Sequence, residues 1–202
     1  MTQNNIKIAV TGGIGSGKSA VCQIIKKQGY PVYSCDSIYS ELLTSTEFLK
    51  KIESEFGGVI NVDGSLNRQA LSDAVFKNDC ALKKLNSITH PEIMSEALKK
   101  MEGDRLAFLE VPLLFENGFE NLFNGVIVVL RGLEDRVNSV MSRDKADRES
   151  VLLRINRQLN YDNFDFAKYY VIHNCYNLTV LEQNVLNILQ KINIEIIKKF
   201  YK

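Results

Sequence analysis

The amino-acid sequence predicts an α/β fold in which a core of parallel strands is flanked by helices. Short apolar runs alternate along the chain with longer segments of helical periodicity, which is the signature of a parallel sheet covered by helices. The first run, Ile6–Val10, leads directly into the glycine-rich stretch TGGIGSGKSAV at 11–21. The 202 residues suffice for one such core with one or two excursions.

Five short apolar runs bounded by polar or turn residues are the predicted strands: 6–10, 31–34, 106–110, 126–130 and 170–173. A helix is expected over 20–27, before Gly29, and a long terminal helix over 178–200, whose apolar positions share one face. The segment 36–103 is too long for one crossover, so we expect an all-helical insertion there. The predicted single domain thus has a core of 1–35, 104–133 and 168–202, an insertion at 36–103 and a lid at 134–167.

The stretch after the first strand fits the phosphate-loop pattern of two glycines five apart followed by Lys and Ser: Gly12, Gly17, Lys18 and Ser19. Glycines adopt backbone angles that let N–H groups surround a phosphate, and the following helix adds its positive end. Lys18 is expected on the outer phosphates, and the Ser19 hydroxyl on the Mg²⁺ that accompanies a nucleoside triphosphate. A purely structural strand-to-helix turn rarely needs this combination.

Arginine is clustered in the second half of the chain. Six of the eight arginines fall between residues 131 and 157: Arg131, Arg136, Arg143, Arg148, Arg154 and Arg157. The guanidinium fork matches phosphate oxygens, and an arginine-rich helical hairpin is typical of a mobile lid over a transferring phosphoryl group. The alternative is a salt-bridged helix face, because acidic residues are interleaved among these arginines.

Three further residues have a structural interpretation, and for Asp36 and Glu110 a chemical interpretation is equally open. Asp36 follows the second strand and is a candidate general base, or a cap of a helix that opens at Ser37. His90 precedes Pro91, which fits a helix start with His90 at the cap. Glu110 ends the third strand, where it would bind the magnesium shell through water or form an ordinary salt bridge.

Composition limits the partners of the protein. A formal net charge of +1 provides no field for nucleic acid or an anionic membrane. The four cysteines are far apart, without metal-type spacing, which suits a reducing cytosol. Because no leader-like or membrane-length apolar segment occurs, we expect a cytoplasmic protein. It is also expected to be a monomer or a weak homo-oligomer.

Six motifs together resemble the dephospho-coenzyme A kinases, from Ile6 to about Leu189. They are TGGIGSGKSAV, CDSI, HPEI, EVPLLFE, SRDKADRESVLLRINRQ and VIHN, in the order and spacing of that family. The chain departs from the family pattern at Ala20, at Tyr169-Tyr170 and at Cys175-Tyr176. The resemblance implies a P-loop kinase fold, with an arginine-rich lid and a helical insertion that binds the acceptor.

The resemblance also implies the activity: transfer of the γ-phosphoryl group of ATP, with Mg²⁺, to the ribose 3′-hydroxyl of dephospho-coenzyme A. Catalytic roles would fall to Asp36 as base, Lys18 and Arg143. ATP would be bound by Gly13, Ile14, Gly15, Ser16, Gly17, Lys18, Ser19, Ala20, Arg143 and Asn174. The acceptor would be bordered by Thr11, Asp36, His90, Pro112, Leu113, Leu114 and Glu116.

Two other functions remain as alternatives. A nucleoside monophosphate kinase, or another small-acceptor phosphotransferase, would share the loop and the lid, and only the acceptor region would differ. A nucleotide switch that binds without transferring phosphate would need no arginine lid, and the Asn-Lys-x-Asp element of guanine-specific switches does not occur in the sequence.

Overall fold

The computed structural model describes residues 5–76, 78–175 and 177–200. Within them the chain forms two compact units. The first contains the residues up to Val32 and from Gly103 onward, and the second is Tyr33–Glu102. Tyr176, one of the positions that depart from the family pattern, lies outside the described residues.

A five-stranded sheet forms the core of the fold. Its strands are β1 (Ile6–Thr11), β2 (Val32–Ser34), β3 (Leu106–Glu110), β4 (Gly125–Leu130) and β5 (Tyr170–His173), in the order β2-β3-β1-β4-β5. Each of the pairs β1–β3, β1–β4 and β4–β5 is parallel. All five strands coincide with the apolar runs of the sequence, which confirms the predicted α/β class. Central strands of a parallel sheet are buried on both faces, so they are almost continuously apolar.

Among the described residues, four α-helices belong to the first unit: α1 (Lys18–Lys27), α6 (Leu133–Asp144), α7 (Arg148–Asn156) and α8 (Leu178–Phe200). Helix α1 packs against β3 and α8. The predicted stripe on α8 is buried in the same core as the strands, at Leu181, Val185, Ile188, Leu189, Ile192 and Ile196. Burial of this face, at about 25 cal/mol per Å² of apolar surface, is what holds the terminal helix to the sheet.

The second unit is built from α2 (Cys35–Leu42), α3 (Thr46–Phe56), α4 (Arg68–Phe76) and α5 (Asp79–Lys100). Helices α2, α3 and α4 each pack on α5. The unit has its own apolar core, to which Phe48, Ile52 and Leu71 contribute. Within the described part of the chain, none of the helices is both long and apolar enough to cross a membrane.

The prediction that a helix starts at His90 and Pro91 is wrong. Pro91 lies inside α5, which begins at Asp79 and is capped by Asn78, whose side-chain oxygen accepts from the N–H groups of Cys80 and Ala81 at 2.9 and 3.3 Å. An interior proline removes one helical hydrogen bond and costs about 3 kcal/mol. The cap and the packing against three neighbouring helices offset this cost, which a local proline rule does not consider.

The interpretation of Asp36 as the cap of a helix that opens at Ser37 is also wrong. Helix α2 already begins at Cys35, and its N-cap is Ser34, in an extended conformation. Asp36 therefore lies in the first helical turn, where a carboxylate interacts favourably with the positive helix end. The Asp36 side chain is exposed, so capping does not explain why an acid stands here.

Candidate active site

The candidate site lies at the carboxyl edge of the first unit's sheet. The phosphate loop, residues 12–17, connects the end of β1 to the start of α1. Because Val10 pairs with Glu110, and Thr11 with Val128, the ends of β3 and β4 lie on either side of the loop. This edge of an open parallel sheet is where ligands of α/β proteins bind.

Gly17 fixes the last bend of the loop. It is the N-cap of α1 with a φ of +95°, in the left-handed region that favours glycine. A Cβ atom at Gly17 would also lie only 2.2 Å from the side-chain nitrogen of Asn174. Any other residue here would be strained in its backbone and would displace Asn174.

Side chains hold the carbonyl groups of the loop one after another. Lys18 Nζ donates to Gly12 O and Gly13 O at 2.8 and 3.2 Å. Three other side chains continue the series: Arg136 Nε to Ile14 O (2.9 Å), Arg131 Nη1 to Gly15 O (3.2 Å) and Asn174 Nδ2 to Ser16 O (2.9 Å). A carbonyl oxygen repels a phosphate, so these bonds reduce the repulsion that an anion at the loop would meet.

Ile14 joins the loop to the hairpin of α6 and α7. Its N–H donates to Gln158 Oε1 at 2.7 Å, and its carbonyl accepts from Arg136. Its side chain packs on the apolar core of the hairpin, which contains Val137 and Val151. Both backbone groups of Ile14 are therefore occupied by the hairpin, and the position of the loop depends on the position of the hairpin.

Ser19 and Glu110 form the candidate magnesium site. Ser19 Oγ donates to Glu110 Oε1 at 2.8 Å, which brings a hydroxyl and a carboxylate oxygen together next to the phosphate loop. Hard oxygen donors suit Mg²⁺, which keeps several waters and takes few protein ligands. The described residues contain no group of three or more His, Cys, Asp and Glu side chains that could hold a metal by themselves. This pair fits an ion that arrives with its nucleotide.

Glu110 also affects the pKa of Cys22, a buried cysteine in α1. Burial raises the pKa of the Cys22 thiol, and the negative charge of Glu110 and a hydrogen bond to it raise that pKa further. The ammonium of Lys18 acts in the opposite direction with a smaller effect. Cys22 therefore remains a neutral thiol on the buried side of α1, and it is not a candidate nucleophile.

Five of the six clustered arginines divide into two groups by their contacts. Arg143 donates to Asp144 from Nε at 2.7 Å and from Nη2 at 3.2 Å, and Arg154 donates to the same carboxylate at 2.7 Å. Both arginines hold the pKa of Asp144 well below its usual range. Arg148 forms a two-point contact with Glu134 at 2.7 and 2.9 Å. These three arginines form the salt-bridged face that the interleaved acids indicated, whereas Arg131 and Arg136 contact the loop.

The segment Pro112-Leu113-Leu114, predicted to border the acceptor, has an unusual backbone. Leu113 has a φ of +54°, in the left-handed region that L side chains rarely adopt. Its carbonyl accepts from both the N–H and the side-chain amide of Asn117, at 3.2 and 2.7 Å. Leu114 is fully buried. Strain of this kind persists only where the surrounding structure enforces it, and it clusters at functional sites.

An aromatic cluster, Phe115, Tyr161, Phe164, Phe166 and Tyr169, holds the chain after α7 against this segment. Glu116 supports the same connection, because its Oε1 accepts from Leu159 N at 2.9 Å. Burial raises the pKa of Tyr161, the charge of Glu116 adds to the effect, and the Thr11 hydroxyl and Arg136 oppose it. Thr11 and Glu116 are thus close enough to Tyr161 to influence its pKa.

The structure places the predicted residues in both units. Thr11, the loop residues, Glu110, Pro112 to Leu114, Glu116, Arg143 and Asn174 belong to the first unit, and Asp36 and His90 to the second. His90 is half-buried within α5. The contact of Asn174 is with the loop carbonyl of Ser16. No pattern in the sequence indicated Gln158 as a partner of Ile14, although arginine clustering did indicate the segment that holds Arg131 and Arg136.

Comparison with known proteins decides between the kinases that share such a loop. The family profile described as Dephospho-CoA kinase matches residues 6–179. The chain belongs to the dephospho-CoA kinase family. A family member from Fusobacterium nucleatum, named Dephospho-CoA kinase, is 34% identical over 181 residues, which are 88% of this chain and 94% of the relative.

Two solved structures agree with this assignment. A crystal structure from Thermus thermophilus has a TM-score of 0.79 and 33% identity, and the match covers 93% of this chain and 98% of that one. The dephospho-CoA kinase from Campylobacter jejuni has a TM-score of 0.66 and 30% identity, with 92% and 96% covered. The resemblance read from the six motifs and the expected P-loop kinase fold are both confirmed. Family membership supports ATP-dependent phosphorylation of dephospho-coenzyme A, in coenzyme A biosynthesis, as the activity.

Proposed function

We propose that the protein transfers the γ-phosphoryl group of ATP to the ribose 3′-hydroxyl of dephospho-coenzyme A, with the phosphate loop as the nucleotide site. The observation that carries the proposal is the loop itself, whose carbonyl groups are engaged by Lys18, Arg136, Arg131 and Asn174. Phosphoryl transfer needs positioning and charge stabilisation more than covalent chemistry. A loop that is already fixed before the nucleotide arrives meets the first need.

Lys18 and the magnesium pair would meet the second need. Lys18 holds the Gly12 and Gly13 carbonyls, and its flexible stem lets the ammonium move to the outer phosphates when ATP binds. Ser19 would ligate Mg²⁺ directly and Glu110 would hold its water shell. The ion, when bound, neutralises charge on the β- and γ-phosphates. The loop residues Gly13 to Ala20 would contact the phosphates, and Asn174 would lie towards the adenine.

Asp36 is the proposed general base. It would accept the proton of the attacking 3′-hydroxyl, and its position in the first turn of α2 keeps an exposed carboxylate available for this purpose. Thr11, His90, the strained Pro112–Leu114 segment and Glu116 would border the acceptor. Arg143 would leave Asp144 and stabilise charge in the transition state, as the lid arginine.

The proposal is tested by ADP release measured with a panel of acceptors at saturating ATP and Mg²⁺. The panel contains dephospho-coenzyme A and the nucleoside monophosphates, which separates the proposed activity from that of a nucleoside monophosphate kinase. We expect release to depend on dephospho-coenzyme A and to remain near the acceptor-free rate with the monophosphates. Faster turnover of any monophosphate would contradict the proposal. The proposal also includes a cytoplasmic location and a monomeric or weakly associated state for the protein.

A further inference from the structure

Arg136 is packed against the start of the phosphate loop. The residue is only 5% exposed, and its Nε donates to Ile14 O at 2.9 Å. A Cβ atom added to Gly13 would lie 2.4 Å from Arg136 Nη2 and 2.7 Å from Cζ. Gly13 is therefore required for contact with the guanidinium, and any larger residue would push Arg136 away from the loop.

The positive charge of Arg136 is only partly compensated by the groups around it. Among the described residues no carboxylate forms an ion pair with it, and Nη2 has no hydrogen-bond partner. Burial lowers the pKa of Arg136, and Asp162 and Tyr161 offset this only in part. A buried charge that no ion pair compensates is costly. A neutral side chain of similar length would fill the same space at lower cost.

The other helical arginines of the hairpin show what a structural role looks like in this chain. Arg148 lies on the exposed side and is held by Glu134 through two hydrogen bonds. Arg143 and Arg154 share Asp144. Each of these charges is solvated and paired, whereas the charge of Arg136 is buried next to a loop that binds anions. The difference indicates that an anionic ligand supplies the missing counter-charge.

We propose that Arg136 is a positioning residue for the triphosphate: it fixes the loop through the Ile14 carbonyl and contributes its buried charge to the binding of the outer phosphates. This inference rests on the proposed binding of ATP at the loop. It implies that the benefit of Arg136 grows with the number of phosphates on the nucleotide. It also implies that the folded protein without nucleotide gains little from the charge.

The experiment compares the wild type with Arg136→Met, Arg136→Lys and the control Arg148→Met. Calorimetry gives the Kd of ATP, ADP and AMP, and thermal unfolding without nucleotide gives Tm. We expect Arg136→Met to weaken ATP about tenfold or more and AMP less than about threefold, with ADP between them. The Tm should stay within about 3 °C of wild type, since loss of the Ile14 bond is offset by removal of a buried charge. Arg148→Met should leave all three Kd values unchanged.

Arg136→Lys keeps the charge but not the planar fork, so its ATP affinity should lie between wild type and Arg136→Met. If Arg136→Met does not fold, the ATP, ADP and AMP affinities of Arg136→Lys test the inference in its place. An unchanged ATP affinity in Arg136→Met, an equal loss for all three nucleotides, or a lysine variant no better than methionine would each overturn the inference. Failure of the wild type to bind ATP would instead contradict the proposed function.

Discussion

The hydroxyl of Ser19 donates to the carboxylate of Glu110 across 2.8 Å, which links the first turn of α1 to the end of β3. The two residues are 91 positions apart in the sequence, and they meet because β1 and β3 are neighbours in the sheet. The contact joins a hydroxyl that directly follows the phosphate-loop lysine to an acid at the adjacent strand end.

The first prediction concerns this pair. Replacing Glu110 with Gln keeps the size and a hydrogen-bond acceptor but removes the charge that would hold the magnesium shell. We expect the Mg²⁺ concentration for half-maximal activity to rise about tenfold or more at fixed ATP. The control is Glu149→Gln, an exposed acid in the first turn of α7, which should leave the Mg²⁺ dependence unchanged. An unchanged dependence in Glu110→Gln would remove Glu110 from the metal site.

Asp36→Asn tests the base. The side chain is exposed and is not the helix cap, so the variant should lose only the favourable interaction with the helix end, about 0.3–1 kcal/mol. Loss of a general base should lower kcat about 10²–10⁴-fold at saturating substrates. The matched control is Asp79→Asn, the same change in the first turn of α5. Turnover near the wild-type rate in a folded Asp36→Asn would show that Asp36 is not the base.

Arg143→Ala separates a lid arginine from a structural one. The ion pair with Asp144 is exposed, since 62% of the Arg143 side chain is accessible, so its loss should change stability by less than about 1 kcal/mol. We expect kcat to fall at least about tenfold while the Kd of ATP stays within about threefold, because the charge acts mainly in the transition state. Arg148→Ala, on the same hairpin, serves as the control. Equal losses in kcat and ATP affinity would point to ground-state binding instead.

The cysteines provide a test of the fold itself. Cys80 and Cys175 are exposed, whereas Cys22 and Cys35 are buried. Under native conditions near neutral pH, iodoacetamide should modify only the exposed pair, and the raised pKa of Cys22 further suppresses its reaction. Mass spectrometry of the intact protein gives the number of labels, and the double variant Cys80→Ser, Cys175→Ser should take up none. Rapid labelling of Cys22 would contradict the packing of α1.

The strands and the terminal helix could be predicted because their signals are local. A run such as VIVVL at 126–130 is apolar enough to identify a buried strand without any knowledge of its neighbours. The errors at Pro91 and Asp36 have the opposite origin. Proline and a helix-initiating acid follow local rules, but Asn78 and Ser34 cap the two helices at earlier positions. Helix α5 continues through Pro91 while it packs against α2, α3 and α4.

The contacts of the phosphate loop could be predicted only in part. The glycines, Lys18 and Ser19 are adjacent in sequence, so their common function is visible there. Ile14 accepts a hydrogen bond from Arg136, 122 positions away, and donates one to Gln158, 144 positions away. No local pattern specifies such a pair, since it depends on how the hairpin returns to the sheet. The clustering of arginine indicated where anion chemistry takes place, but not which arginines face the loop.

The most direct test of the account is ³¹P NMR of the wild-type reaction with ATP, Mg²⁺ and dephospho-coenzyme A. We predict that the γ-phosphate resonance of ATP decreases while a 3′-phosphomonoester resonance of coenzyme A increases at the same rate as ADP. Appearance of ADP with inorganic phosphate and no phosphomonoester would contradict the central claim, because the loop would then deliver its phosphate to water.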